Sequence, residues 1–412
     1  MFRPIAFRPI AFTAFAASLV CQGWGQAISQ EEAVKKSLST HPRALAARSQ
    51  ALAARSGLSS ARALRNLEIA LNPALTADGA ENEFVASQFF EINGARRARS
   101  SAAASRLVAA QAAQATELRS LAFDTIRAHI ALARLQERLQ AERELLEVSE
   151  ELERIARRQV EVGTRPGIDL VNVEVATIRQ RRAVREAEAE LRSARTSLAT
   201  FVGGDADAIV AELMPIQAVQ LQANAEAAIQ ARSEVAEQLA LAEALAWDRR
   251  EVEAQGRPDL GLQALSGSFT REPRTAGLGL LITLPILDHG ARRGRIAELR
   301  RLEEAQRHRV DATRREVRTD VMTAFERARA AQATLATFQD GLLERARRLL
   351  HASRIGFQAG QTSLVALLEA QRTYRAVQTE YVQARADYAL ALADLQRASG
   401  TLAADLIQEA TK

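Results

Sequence analysis

The chain has 412 residues, a formal charge of +5 and only 4% aromatic residues. Its arginines alternate with glutamates, as in Glu151-Leu152-Glu153-Arg154, which describes solvated helix faces and argues against a phosphate-tracking nucleic-acid surface. Long proline-free stretches rich in Ala, Leu, Glu and Arg predict long helices and coiled coils in place of two or three ordinary globular cores.

Arg3 and Arg8 precede an apolar run around Ile10 to Val20, and Gly25-Gln26-Ala27 supplies small residues for cleavage. Residues 1–27 are therefore expected to be an export signal, leaving Ile28 first in the mature chain. Cys21 is the only cysteine and would leave with that signal, taking disulfide, zinc and thiol chemistry with it. Ser18-Leu19-Val20 before it suits lipid anchoring poorly. No later apolar run is long enough for a spanning helix, so membrane contact must come from strands or a surface.

Beyond the leader, the chain is one unit written twice. Gly94-Ala95-Arg96-Arg97 recurs as Gly290-Ala291-Arg292-Arg293, and Gly163 and Gly203 recur as Gly360 and Gly400. These matches divide the chain into a first repeat at 28–203, a linker at 204–217, a second repeat at 218–403 and a tail at 404–412, partly mobile beyond Gly400. Each repeat starts with a helix, at Glu31 to Arg65 and at Ala225 to Ala254; Thr40 and Pro42 predict a break in the first.

Strands are expected at Glu68 to Ala77 and Phe84 to Ile92 around Asp78-Gly79, and at Pro258 to Ser266 and Gly277 to Leu287 around Arg271-Glu272-Pro273. Leu278, Leu280, Ile282, Leu284 and Ile286 alternate as one apolar face. Each strand is near ten residues, the length of a tilted membrane-spanning strand. Four strands cannot close a barrel, and lipid does not tolerate open edges, so the remaining strands must come from other copies; three copies supply twelve.

The long helices follow, from Gly94 to about Gly163 and from Gly290 to Ala359, each about 100 Å at 1.5 Å per residue. Leu132, Leu135, Leu139 and Leu146, and likewise Leu335, Phe338, Leu342 and Leu349, have coiled-coil spacing; Tyr374, Tyr381, Tyr388 and Leu395 continue it as a seam. His41, His129, His289, His308 and His351 are scattered without metal-binding spacing, and Asp288 before His289 suits a cap. No catalytic constellation, metal site or cofactor motif is present in the sequence.

Three stretches resemble the outer-membrane efflux proteins, the TolC-like channels. They are Val162-Gly163-Thr164-Arg165 with Ile168-Asp169-Leu170; Gly360-Gln361-Thr362-Ser363-Leu364 with Leu367-Leu368-Glu369-Ala370-Gln371; and Leu284-Pro285-Ile286-Leu287-Asp288-His289-Gly290. The resemblance implies a mainly helical fold with a small β part, made of two repeats of helix, hairpin, long helix, tip turn and helix. It implies a homotrimer whose twelve-stranded barrel, in the outer membrane of a Gram-negative bacterium, sits on a periplasmic helical tunnel. It also implies partners: a periplasmic adaptor and an inner-membrane transporter of the RND or ABC type, in a tripartite efflux or type I secretion system.

On that resemblance the tips are 162–169 and 359–366, with Gly163, Thr164, Arg165, Gly360, Gln361, Thr362 and Ser363 as adaptor-docking candidates. Glu369 and Asp169 match acidic entrance positions. Phe357 and Thr362 stand where relatives carry the Tyr and Arg of a polar latch, which puts that latch in doubt. Gly94, Arg96, Arg97, Gly290, Arg292 and Arg293 mark the barrel-to-tunnel junction. The competing reading is a periplasmic coiled-coil or adaptor-like protein that spans nothing. The exported substrate is not written in the chain, though nothing rich in His or Met favours metal.

Overall fold

In the computed structural model, Ala27–Ile28 (β1) leads into Gln30–Thr40 (α1), where the Ser29 hydroxyl accepts from the Glu32 amide at 3.2 Å. His41 breaks the path, and Pro42 opens Pro42–Arg62 (α2), a position where a missing N–H costs nothing. Glu68–Thr76 (β2) and Gly79–Phe89 (β3) form a hairpin. Ala95–Glu161 (α3) then runs 67 residues without a proline or glycine, and Gly167–Val202 (α4) returns. Val210–Ala211 (β4) pairs in parallel with β1. The series then repeats as Ala225–Ala231 (α5), Ser233–Ala254 (α6), Asp259–Gly267 (β5), Thr275–Thr283 (β6), Ala291–Thr337 (α7), Leu343–Gln358 (α8), Leu364–Ser399 (α9) and Ala404–Thr411 (α10).

The structure describes residues 27–76, 79–211, 220–267, 275–286 and 288–411. Residues 1–26 of the expected leader with Cys21, Ala77 and Asp78, Arg271 to Pro273, Leu287 and the linker residues 212–217 lie outside them.

The second long helix is not one helix. Phe338–Leu342 is a π-turn in which Gly341 takes φ 98°, outside helical space, before α8 resumes. A π-turn holds one residue more than an α-turn and so rotates everything after it. The expected heptad consequently fails beyond this point: Leu335 and Phe338 are buried, Leu342 and Leu349 are exposed, and Ala346, Leu350 and Phe357 take the inward positions.

Two other sequence expectations also give way. Arg232 divides the predicted Ala225 to Ala254 helix, with its guanidinium on Glu234 at 2.8 and 2.9 Å and on the Ala398 carbonyl at 3.2 Å. The tail is ordered as α10, with Ile407 buried and the Ala410 carbonyl accepting from Arg48 at 3.2 Å.

The largest core joins α1, α3, α4 and α10 through Leu38, Leu118, Leu121, Leu132, Leu198 and Ile407. Within it, the His129 ring donates from Nε2 to the Ile28 carbonyl at 2.9 Å, and burial holds that imidazole below its ordinary pKa. A smaller core near the glycine turns takes Leu152, Val173, Leu350, Phe357 and Leu367 from four helices.

The four long strands form one antiparallel sheet in the order β2-β3-β5-β6. Its register puts Ile69, Leu71, Phe84, Ala86, Leu260, Leu262, Leu278, Leu280 and Ile282 on one face with Gln88 and Ser266, and Glu68, Glu83, Ser87, Gln263, Gly277, Gly279 and Thr283 on the other with Val85, Phe89, Leu265 and Leu281. The strands differ from expectation mainly by sliding: β3 ends at Phe89 and β6 at Thr283, so Leu284 and Ile286 lie beyond the sheet.

Candidate functional site

α3 and α8 end alike. Gly163 and Gly360 take φ 72° and 73°, a conformation that costs an L side chain about 1–2 kcal/mol. The Thr164 amide reaches back to the Gln159 carbonyl at 2.9 Å and the Gln361 amide to the Gly356 carbonyl at 2.8 Å, while each glycine amide bonds three residues back. These paired bonds are a Schellman ending, which satisfies carbonyls a helix end would otherwise orphan. The Thr164 hydroxyl donates to the Gln159 carbonyl at 2.8 Å, and the Ser363 hydroxyl accepts from the Ala366 amide at 3.2 Å. Two of the docking candidates therefore serve as caps.

One side chain joins the two turns. Arg165 lies with its guanidinium 4.5 Å from the centre of the buried Phe357 ring and donates to the Thr362 carbonyl at 3.4 Å. Its other nitrogen is 3.5 Å from the Asp169 carboxylate. Asp169, Phe357 and Thr362, separate in sequence, are thus gathered around an arginine that sequence alone places only among docking residues. The available signal was that Arg165 is the sole basic residue in 162–169 and 359–366. Glu369 stays apart, exposed and 3.5 Å from Arg372 on its own helix. Val162, Ile168 and Val365, inside the expected tips but not among the named docking candidates, are large apolar side chains left in solvent around the turns.

At the opposite end, Gly94 and Gly290 start α3 and α7 with φ 92° and 88°. The Asn93 side chain accepts from the Ala95 amide at 2.9 Å, and Asp288 accepts from the amides of Gly290 at 3.1 Å and Arg292 at 3.3 Å. Those amide bonds hold the Asp288 carboxyl below its ordinary range. Arg96, Arg97 and Arg293 are exposed, whereas Arg292 is half-buried, 3.7 Å from Asp288. Nearby, Arg99 grips the buried Glu91 with two bonds of 2.9 Å, and those bonds lower the Glu91 pKa against the cost of burial.

A long helical body with matched turns at one end and an apolar-faced open sheet at the other has known counterparts. Residues 216–401 match the family described as Outer membrane efflux protein. The outer membrane efflux protein BepC of Brucella suis is 26% identical over 277 residues, 64% of this chain and 59% of that protein. The cobalt-zinc-cadmium resistance protein CzcC of Cupriavidus metallidurans is 24% identical over 309 residues, 71% of this chain and 70% of that protein. The crystal structure of the outer membrane protein VceC from Vibrio cholerae superposes with a TM-score of 0.76 at 17% identity, covering 90% of this chain and 96% of that one.

Over residues 216–401 this chain is similar to the outer membrane efflux protein family. Its location is accordingly the outer membrane of a Gram-negative bacterium. The matched span is less than two thirds of BepC's length. The fold is mainly helical and is shared with solved outer-membrane channel structures. Among the described residues, no helix is long and apolar enough to cross a membrane.

Proposed function

We propose that this protein is the passive outer-membrane duct of a tripartite efflux or type I secretion system. The observation that carries the reading is the sheet. Its apolar face is in solvent, with Leu278 89% and Leu71 70% exposed, and its edge strands β2 and β6 each have a partner on one side only. A periplasmic coiled coil that spans nothing gains nothing from such a face, and exposed edges invite pairing.

The alternation of direction across the four strands is complete, so β6 of one copy meets β2 of the next in antiparallel sense. Three copies then close twelve strands with no edge left to lipid. The helices continue from the barrel as a periplasmic tunnel, and the turns at its far end meet an adaptor. Val162, Ile168 and Val365 supply apolar contact there, Gly163, Gly360 and Gln361 supply exposed backbone and amide groups, and Arg165 holds the two turns of one copy together. An inner-membrane transporter drives the flow, and Glu369 from three copies forms an acidic ring at the entrance.

Recording from the purified protein in planar bilayers tests both parts. The expected result is a steady conductance blocked by a trivalent cation, with block lost in Glu369→Ala. Absence of conductance sinks the duct, and unchanged block in the variant sinks the ring alone.

A further inference from the structure

All four strand-to-helix junctions lie at one end of the sheet, over residues 63–67, 90–94, 255–258 and 284–290. Three of them hold large apolar side chains out in solvent: Leu64 and Leu67, Phe90 and Ile92, and Leu284 and Ile286. Arginines stand at the same level, namely Arg62, Arg65, Arg96, Arg97, Arg257, Arg292 and Arg293.

Of the acids beside these junctions, Glu68 at the start of β2 is exposed and, among the described residues, without an ion pair, and the other three are engaged. Glu91 is held by Arg99 and Arg65, Asp259 accepts from the Ile92 amide at 3.1 Å, and Asp288 caps α7 beside Arg292. Among the described residues, Arg62, Arg97, Arg257 and Arg293 have no carboxylate within ion-pair reach, and all four are exposed, whereas Arg96 acts on Glu91.

Unpaired guanidinium groups interleaved with exposed apolar side chains suit a boundary where hydrocarbon gives way to charged headgroups. The arginine stems lie along the apolar side and the planar heads meet phosphate oxygens in bidentate fashion. We infer that the collar binds anionic phospholipid headgroups in the leaflet on the helix side of the sheet. The inference rests on the barrel reading above.

The test uses the mature full-length protein, reconstituted into vesicles of phosphatidylcholine with or without phosphatidylglycerol and washed with urea. Lipids retained after detergent extraction are then counted by native mass spectrometry. Three proteins are compared: wild type; Arg62→Gln/Arg97→Gln/Arg257→Gln/Arg293→Gln; and a control with Arg179, Arg182, Arg185 and Arg192 on α4 changed to Gln. Wild type and control are expected to retain phosphatidylglycerol over phosphatidylcholine by about tenfold or more, since each surface arginine contributes several-fold. The collar variant inserts equally but loses that preference.

Equal retention of both lipids by wild type, or an unchanged preference in the collar variant, overturns the inference and leaves the barrel standing. Wild type washed off both vesicle types overturns the barrel reading and the collar with it. Should the quadruple variant fail to insert, the doubles Arg97→Gln/Arg293→Gln and Arg62→Gln/Arg257→Gln decide the matter. Each is expected to lose roughly half of the preference on a logarithmic scale.

Discussion

The two long helices begin at matching glycines and end at matching turns, yet they are built into the molecule differently. α3 lies among α1, α2, α4, α6 and α9, and its inward residues come from much of its circumference. α7 packs chiefly on α5, α6 and α9, and Arg, Glu and Ala in solvent cover most of its surface. α3 also runs unbroken where the second helix stops at Gly341. The difference shows that one copy completes the surroundings of its first long helix and leaves the second open, which suits a subunit whose remaining neighbours are other copies.

The sharpest way to break that contrast is to cut equal-sized holes in both helices. Leu132→Ala in α3 removes a fully buried side chain and is expected to cost about 2–5 kcal/mol in denaturant unfolding of the detergent-solubilised protomer. Met322→Ala, on the open side of α7, is expected to stay within about 0.5 kcal/mol. Similar costs would show that α7 is as enclosed as α3.

The interruption itself comes next. Gly341→Ala places a Cβ at φ 98° and is expected to destabilise by about 1–2 kcal/mol, whereas Glu144→Ala, at the matching point of unbroken α3, is expected to be nearly neutral. A neutral Gly341→Ala would mean that the π-turn is dispensable.

At the turns, Arg165→Ala removes the contact over Phe357 and the link to Thr362. The expected cost is about 1 kcal/mol, read as roughly fivefold faster proteolysis of the tips under conditions where local opening limits cleavage. Unchanged cleavage would leave Arg165 no holding role.

The two junctions differ in pH response. Folding lowers the Glu91 pKa through its bonds to Arg99, so that pair stabilises fully above the unfolded value of 4.5 and fades as pH falls through the lower folded value. Glu91→Gln is expected to flatten the acid limb of stability against pH. Asp288→Asn, at a half-buried carboxylate in contrast to the buried Glu91, is expected to flatten it less, and the reverse order would contradict the burial difference.

Much of this architecture was legible from glycines and alternation. Gly94, Gly163, Gly290 and Gly360 all need positive φ, and such a need leaves a residue-specific mark. The alternating leucines of β6 marked a strand, since a period of two places them on one face. The break at Gly341 was not legible, since a single glycine in a helical pattern is usually tolerated and heptad counting assumes an unbroken phase. Arg232 hid for a related reason: arginine is a good helix former, and only its tertiary partners Glu234 and Ala398 give it cause to interrupt. At the turns, Phe357 and Thr362 looked like losses when compared by position. Their use depends on Arg165, which lies about 190 residues away in sequence and meets them only once both hairpins are folded.

The duct stands or falls on the pairing of β2 with β6 between copies, and edge cross-linking tests it most directly. The expected mature chain has no cysteine, so single cysteines placed along β2, at Ile69 to Leu71, and along β6, at Leu280 to Ile282, can be oxidised in outer-membrane fractions without competing thiols. Some β2–β6 pairs are expected to link into dimers and closed trimers and nothing larger. Monomer alone from every pair, or an open ladder beyond three, would contradict that pairing.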